Sequence, residues 1–331
     1  MIELTQDRLE FRFPEVHTEA RCRIDFQRTL RIPDDNRDYP LPPGLGRFPL
    51  QHVDDFKSRV PADWLRHGGV FLPMYQAEAL WINFAGDYPC AVKIAAGKIN
   101  AVTGEAWQEA LAPLPQDYVV VPDQPWLDGF AVRQGLIRQF VAMPLGAGYT
   151  AEEQLTGTGE HGGLQIVVYP MKAAVYEALR AERAAAFDGD LMMCEESPCP
   201  PCSQEMGLAP GGLMRQEIYD DDYGEEAWDQ SAGSKCFIHL LNSLGYLAVT
   251  QRRPPHPPPS AQDYARAGLP WFEYADAERT ALDGAVKLAR LDSVAAMSIK
   301  QGAGILAENA PLGALRVAAV GPAAAVREGD F

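Results

Sequence analysis

No stretch of this sequence stays apolar for long. The longest runs, such as Leu164 to Tyr169 and Phe237 to Leu241, fall far below the ~20 residues a helix needs to cross a bilayer, so no membrane span is expected. Basic charge is scarce as well: 29 Lys and Arg stand against 45 Asp and Glu, for a net charge of −16. No run of Lys and Arg interleaved with aromatics offsets it, so the chain repels a phosphate backbone and nucleic acid is not an expected partner. Familiar catalytic signatures are missing: there is no Gly-x-Ser-x-Gly elbow, no His-Glu-x-x-His, no Walker lysine and no complete dinucleotide fingerprint. Met1 leads into Glu3, Asp7 and Arg8 without the apolar segment of a secretory signal, which makes a reducing cytoplasm the expected location. The six cysteines then read as thiols or metal ligands before disulfides.

What is present is an ordinary globular composition, 47% apolar and 22% charged, in a chain longer than one core usually fills. Up to about residue 170 short β-favouring runs alternate with Pro and Gly turns. Leu9 to Phe13, Cys22 to Phe26, Ala79 to Phe84, Cys90 to Ala95, Tyr118 to Val121, Leu136 to Met143 and Leu164 to Tyr169 are expected strands. After Pro170 the texture changes. Lys172 to Phe187 reads as an amphipathic helix, Met214 to Tyr219 and Cys236 to Leu241 as strands, Ser243 to Thr250 as a short helix, and Asp276 to Leu291 as a second helix with Leu282, Ala285, Val286 and Ala289 buried. Pro254 to Pro259 is a stiff connector. The expected class is α+β: a sandwich or jelly-roll-like domain over 1–170, a mixed α/β part with a Cys-rich loop over 171–295 packed on it, and an Ala/Gly-rich tail over 296–331.

The most specific cluster is Cys199-Pro-Pro-Cys202 followed by Cys236-Phe-Ile-His239, with Cys194 upstream. Cys199, Cys202, Cys236 and His239 can close a tetrahedron around zinc, with Cys194 as the alternative ligand. The spacing of Cys194, Cys199, Cys202 and Cys236 also copies that of a plant-type iron–sulfur site, although Pro198, Pro200 and Pro201 remove backbone donors a cluster needs. A third reading is a solvated loop of free thiols with Cys236 packed as a small hydrophobe. A strand through Cys236 and His239 would set the two on opposite faces and count against a shared ion.

Other groups point to binding. Gly146-Ala-Gly148 runs into Thr150-Ala-Glu-Glu153, a capping box opening a helix that ends at Gly157, so Gly146, Gly148 and Thr150 form a candidate anion site. His161, beside Gly162 and Gly163, is the candidate acid or base. The acidic Tyr219 to Glu226 turn offers oxygens to a hard cation but lacks the EF-hand spacing. Gln76, Trp81, Trp126, Gln139 and Gln165 suit a concave ligand site, with rings over an apolar face and amides orienting a polar one.

The strings Arg138 to Gly157 and His161 to Lys172, and more faintly Gly268 to Phe272, resemble segments of a bacterial protein family whose members carry no assigned function. The resemblance covers about a third of the chain and implies no catalytic residue. The expected function is a soluble intracellular binding or assembly protein that offers a β-sheet concavity to a small molecule or another protein, with self-association left open. The competing expectation is a metalloenzyme, or a zinc-stapled enzyme, that uses the Cys-rich loop.

Overall fold

The computed structural model describes residues 1–184, 205–272, 274, 276, 279–304, 306 and 326–329. Among these residues strand outweighs helix, 37% against 20%, and every described strand belongs to one hydrogen-bonded sheet. In chain order these are β1 (Ile2–Thr5), β2 (Arg8–Arg12), β3 (Arg21–Thr29), β4 (Asp38–Tyr39), β5 (Gly44–Arg47), β6 (Gln51–His52), β7 (Val70–Met74), β8 (Ala79–Ala85) and β9 (Cys90–Ala96). There follow β10 (Ile99–Asn100), β11 (Val119–Val121), β12 (Trp126–Leu127), β13 (Gly129–Arg133), β14 (Leu136–Pro144), β15 (Leu164–Pro170), β16 (Glu205–Arg215) and β17 (Ser234–Asn242).

The backbone of the sheet runs β1-β2-β3-β8-β14-β16-β17-β15-β9, antiparallel at each step. Among the described strands only β4 on β16 and β7 on β17 pair in parallel. β16 and β17 therefore share their sheet with strands from the first 170 residues. β2 alternates between half-buried and buried positions, and β8 does so from Leu80 onward, as strands with one covered face do. β7, β9 and β15 are buried throughout, because the sheet is covered on both sides there.

The helices are short: α1 (Ala62–His67), α2 (Ala151–Thr156), α3 (Ala173–Ala184), α4 (Ser243–Thr250), α5 (Ala261–Arg266), α6 (Val286–Ala289) and α7 (Val294–Lys300). None of the described helices is long and apolar enough to cross a membrane. The main core joins Phe11, Phe26, Ile82 and Phe140 to Cys236, Ile238 and Leu288, so both halves of the chain bury into it. Each large apolar side chain in it contributes roughly 1.5–3 kcal/mol by leaving water. A smaller cluster packs Trp64 of α1 and Tyr246 of α4 on Phe71 and Leu241.

Two expectations fail. The described run from Arg279 to Ala285 is not helical: Ala281 bridges Tyr219, Leu282 N donates to Ile218 O, and Ala285 N donates to Ala131 O. Gly284 sits at φ 73°, and backbone bonds to neighbouring strands outweigh helix propensity, leaving only α6 from the expected helix. The strand expected from Met214 lies earlier, because β16 ends at Arg215. Beyond it Gln216 caps a loop by accepting from Asp128 N, and Tyr219 N donates to Gln124 Oε1.

Candidate functional site

The period of two along the strands builds a groove on the face of β8 that turns away from the core. Ile82 pairs with Phe26 on the buried face, so Trp81 and Asn83 project to the other side. Trp126 of β12 lies opposite Asn83, which makes it a diagonal neighbour of Trp81, and the two indoles meet edge to face at 6.3 Å. Gly44 of β5 faces Trp81 so closely that a Cβ there would stand 3.3 Å from Cζ2. The opposite wall comes from far along the chain. Leu41 and Phe272 exchange backbone hydrogen bonds of 2.8 and 3.0 Å, and this places Tyr274 against Trp126 at 4.9 Å between centroids. Trp271 anchors the strap by packing on Tyr39 and Tyr264, while Tyr264 Oη donates to Pro270 O. The groove has about 480 Å³ and is walled by Trp81, Trp126, Phe272, Tyr274 and the Leu41-Pro-Pro-Gly44 turn.

Asp128 lies at its floor, 3% exposed. Its backbone N donates to Gln216 Oε1 at 3.0 Å, and its carboxylate accepts from Gln216 Nε2 at 2.8 Å. Burial pushes its pKa up to about 7, against the hydrogen bonds from Gln216 and the Trp126 side chain. Among the described residues no cation pairs with it. Two other buried carboxylates instead face a cation, Glu78 pairing with Arg28 at 2.5 Å and Asp117 with Lys93 at 2.5 Å.

A second, polar pocket of about 500 Å³ surrounds His161. Glu152 on its wall accepts from the backbone N–H groups of Glu160, His161 and Gly162 at 2.8–2.9 Å, so its charge is already answered. The β9–β10 turn supplies Lys98. Gly97 and Lys98 both sit at positive φ, 56° and 58°, between paired Ala96 and Ile99, a type I′ hairpin turn whose usual residues are Asn and Gly. Lysine in that conformation costs roughly 1–2 kcal/mol. His161 faces His67 at 6.4 Å, and His67 lies 6.4 Å from His239. Burial and the Lys98 charge hold the His161 pKa below its ordinary value.

The remaining expected site residues have other work. Gln139 is fully buried, accepting from Ile32 N and donating to Leu30 O. Gln165 accepts from Lys98 N at 2.6 Å and donates to Gly162 O at 2.9 Å, tying two turns together. Gln76 follows β7 in the chain and is not on the groove wall. Near Gly146, Gly148 and Thr150, the N–H groups of Gly148 and Thr150 already donate to the Glu153 carboxylate, at 2.8 and 3.1 Å. Asp221 of the acidic turn accepts from Tyr118 Oη and Trp228 Nε1.

Of the expected metal ligands, Cys194, Cys199 and Cys202 lie outside the described residues. Cys236 and His239 stand three apart on the regular strand β17 and so on opposite faces. The Cys236 thiol is raised by burial and directs its hydrogen to Phe237 O. His239 stacks between Trp64 and Phe237, 4.3 Å from each, with Nε2 3.0 Å from Gly68 O, and burial lowers its pKa to about 3. Among the described residues no three His, Cys, Asp or Glu are placed to share a metal ion.

Sequence reasoning singled out Trp81, Trp126 and His161, and missed Asp128, Tyr274 and Lys98. Asp128 carried a signal, an acid inside the apolar string Trp126-Leu-Asp-Gly-Phe130, and Gly97-Lys98 between two apolar runs was a hairpin signal. Compared with protein-family models, with curated proteins and with solved structures, the chain finds no match.

Proposed function

We propose that the protein binds a small organic cation, an ammonium or guanidinium compound with an apolar body, in the groove between β8, β12 and the strap at Phe272. The pairing of the Trp81, Trp126 and Tyr274 rings with a floor carboxyl that has no cationic partner among the described residues is the observation that carries this reading. Ring faces attract a cation through their quadrupole by about 0.5–2 kcal/mol each, and a carboxylate below them supplies the full opposite charge. The volume, about 480 Å³, is in the range of small-molecule sites. The net charge of −16 adds a general pull on cations and repels anions.

This narrows the small ligand expected from the sequence, on a sandwich-like scaffold in a reducing cytoplasm, to one chemical class. Tryptophan fluorescence during titration with phenyltrimethylammonium tests it. Saturable quenching is expected, with affinity falling about tenfold or more in Trp126→Ala, in line with the loss of a ring–cation contact of ~1.4 kcal/mol. Equal quenching in wild type and variant contradicts it.

A further inference from the structure

The chain has seven lysines. Six of them, Lys57, Lys93, Lys172, Lys235, Lys287 and Lys300, each lie within 3.9 Å of a carboxylate. Among the described residues Lys98 alone has no such partner, although it lines a pocket with Glu109 and Glu152. Those two carboxylates are already engaged, Glu109 by Lys235 at 2.7 Å and Glu152 by three backbone N–H groups.

Its placement is held firmly. The left-handed backbone of Lys98 is pinned by its N–H to Gln165 Oε1 at 2.6 Å and by its carbonyl to Trp107 N at 2.8 Å. A residue type that resists this turn, fixed there from both sides, carries a long amine to the pocket wall. Trp107 supplies an apolar wall, and the His161 ring makes no hydrogen bond among the described residues.

We propose that Lys98 is a nucleophilic amine and that this pocket takes a small aldehyde or ketone, holding it as an imine. The nitrogen lone pair forms a bond to the carbonyl carbon while the C=O π electrons move to oxygen, and one amine proton passes to that oxygen to give a carbinolamine. The C–O bond then breaks as the hydroxyl leaves with a proton from His161 as water. The second amine proton returns to the imidazole, and the C=N bond remains. Amine and carbonyl thus give imine and water, with no change of oxidation state.

Burial of the amine favours its neutral, nucleophilic form. Burial, Lys235 and Arg66 lower the Lys98 pKa, against Glu109 and Glu152, which raise it; the net shift is downward.

Brief exposure of the intact protein to benzaldehyde with cyanoborohydride at about pH 7, followed by peptide mass spectrometry, tests the proposal. Lys98 is expected to be modified first, at least severalfold faster than Lys57 and Lys300, because its lowered pKa leaves more of the amine neutral at this pH. Those two side chains are 65% and 62% exposed. Lys98→Arg removes this fast adduct and leaves the slower ones. Modification that follows exposure, with Lys98 no faster than Lys57 and Lys300, overturns the proposal.

Discussion

Buried carboxylates in this protein meet different company. Glu78 and Asp117 each face a cation at 2.5 Å, whereas Asp128 has only amide and indole hydrogen bonds and a pKa pushed up to about 7. A carboxyl whose folded pKa lies above its unfolded value of about 3.8 binds its proton more tightly in the native state. Its contribution is therefore favourable below about pH 4 and declines as pH rises toward 7. Asp128→Asn removes that decline. Relative to wild type, the variant gains roughly 2–3 kcal/mol between about pH 5 and pH 8, read from denaturant unfolding at both values; a difference independent of pH contradicts the assignment. His239 acts in the opposite sense. Its pKa, lowered to about 3, makes stability fall as pH drops below about 6.5, and the Asp128→Asn difference cancels that contribution.

At the scale of elements, α2 shows how local chemistry reads through to structure. Thr150 Oγ1 accepts from Glu153 N at 3.2 Å, and Glu153 returns the bond to Thr150 N, closing a capping box, while Gly157 ends the helix at φ 81°. Thr150→Ala is expected to cost about 1 kcal/mol, measured as a shifted denaturation midpoint with unchanged slope; no shift would show that the cap contributes nothing. This helix was legible in the residues, as were the seven expected strands in the first half, because turn glycines, caps and period-two alternation are local. β7 was not legible: all five of its residues are buried, so no alternation marks it. The extended run before α6 was misread because its partners, Ile218, Tyr219 and Ala131, are remote in sequence. For the same reason half of the groove was visible beforehand. Trp81 and Trp126 share a sheet face that periodicity reveals, whereas Tyr274 arrives through one backbone bridge between Leu41 and Phe272.

Taken as a whole, the molecule is one large, mainly antiparallel sheet that draws strands from both halves of the chain and carries a strongly negative charge. The sheet fixes two of the groove's rings, and the strap closes over them with Phe272 and Tyr274, 49% and 47% exposed. An open aromatic wall above an acidic floor separates charge from shape as a cause of binding. Trimethylammonium and tert-butyl groups have nearly the same shape and differ in charge, so choline and 3,3-dimethylbutan-1-ol form the deciding pair. Calorimetric titration of both ligands at about pH 8, where Asp128 is mostly ionised, is the most direct measurement. Choline is expected to bind at least about tenfold more tightly, with the margin reduced in Asp128→Asn, where only the rings still favour the cation; equal affinity for the two in the wild type, or a preference for the neutral alcohol, contradicts the reading.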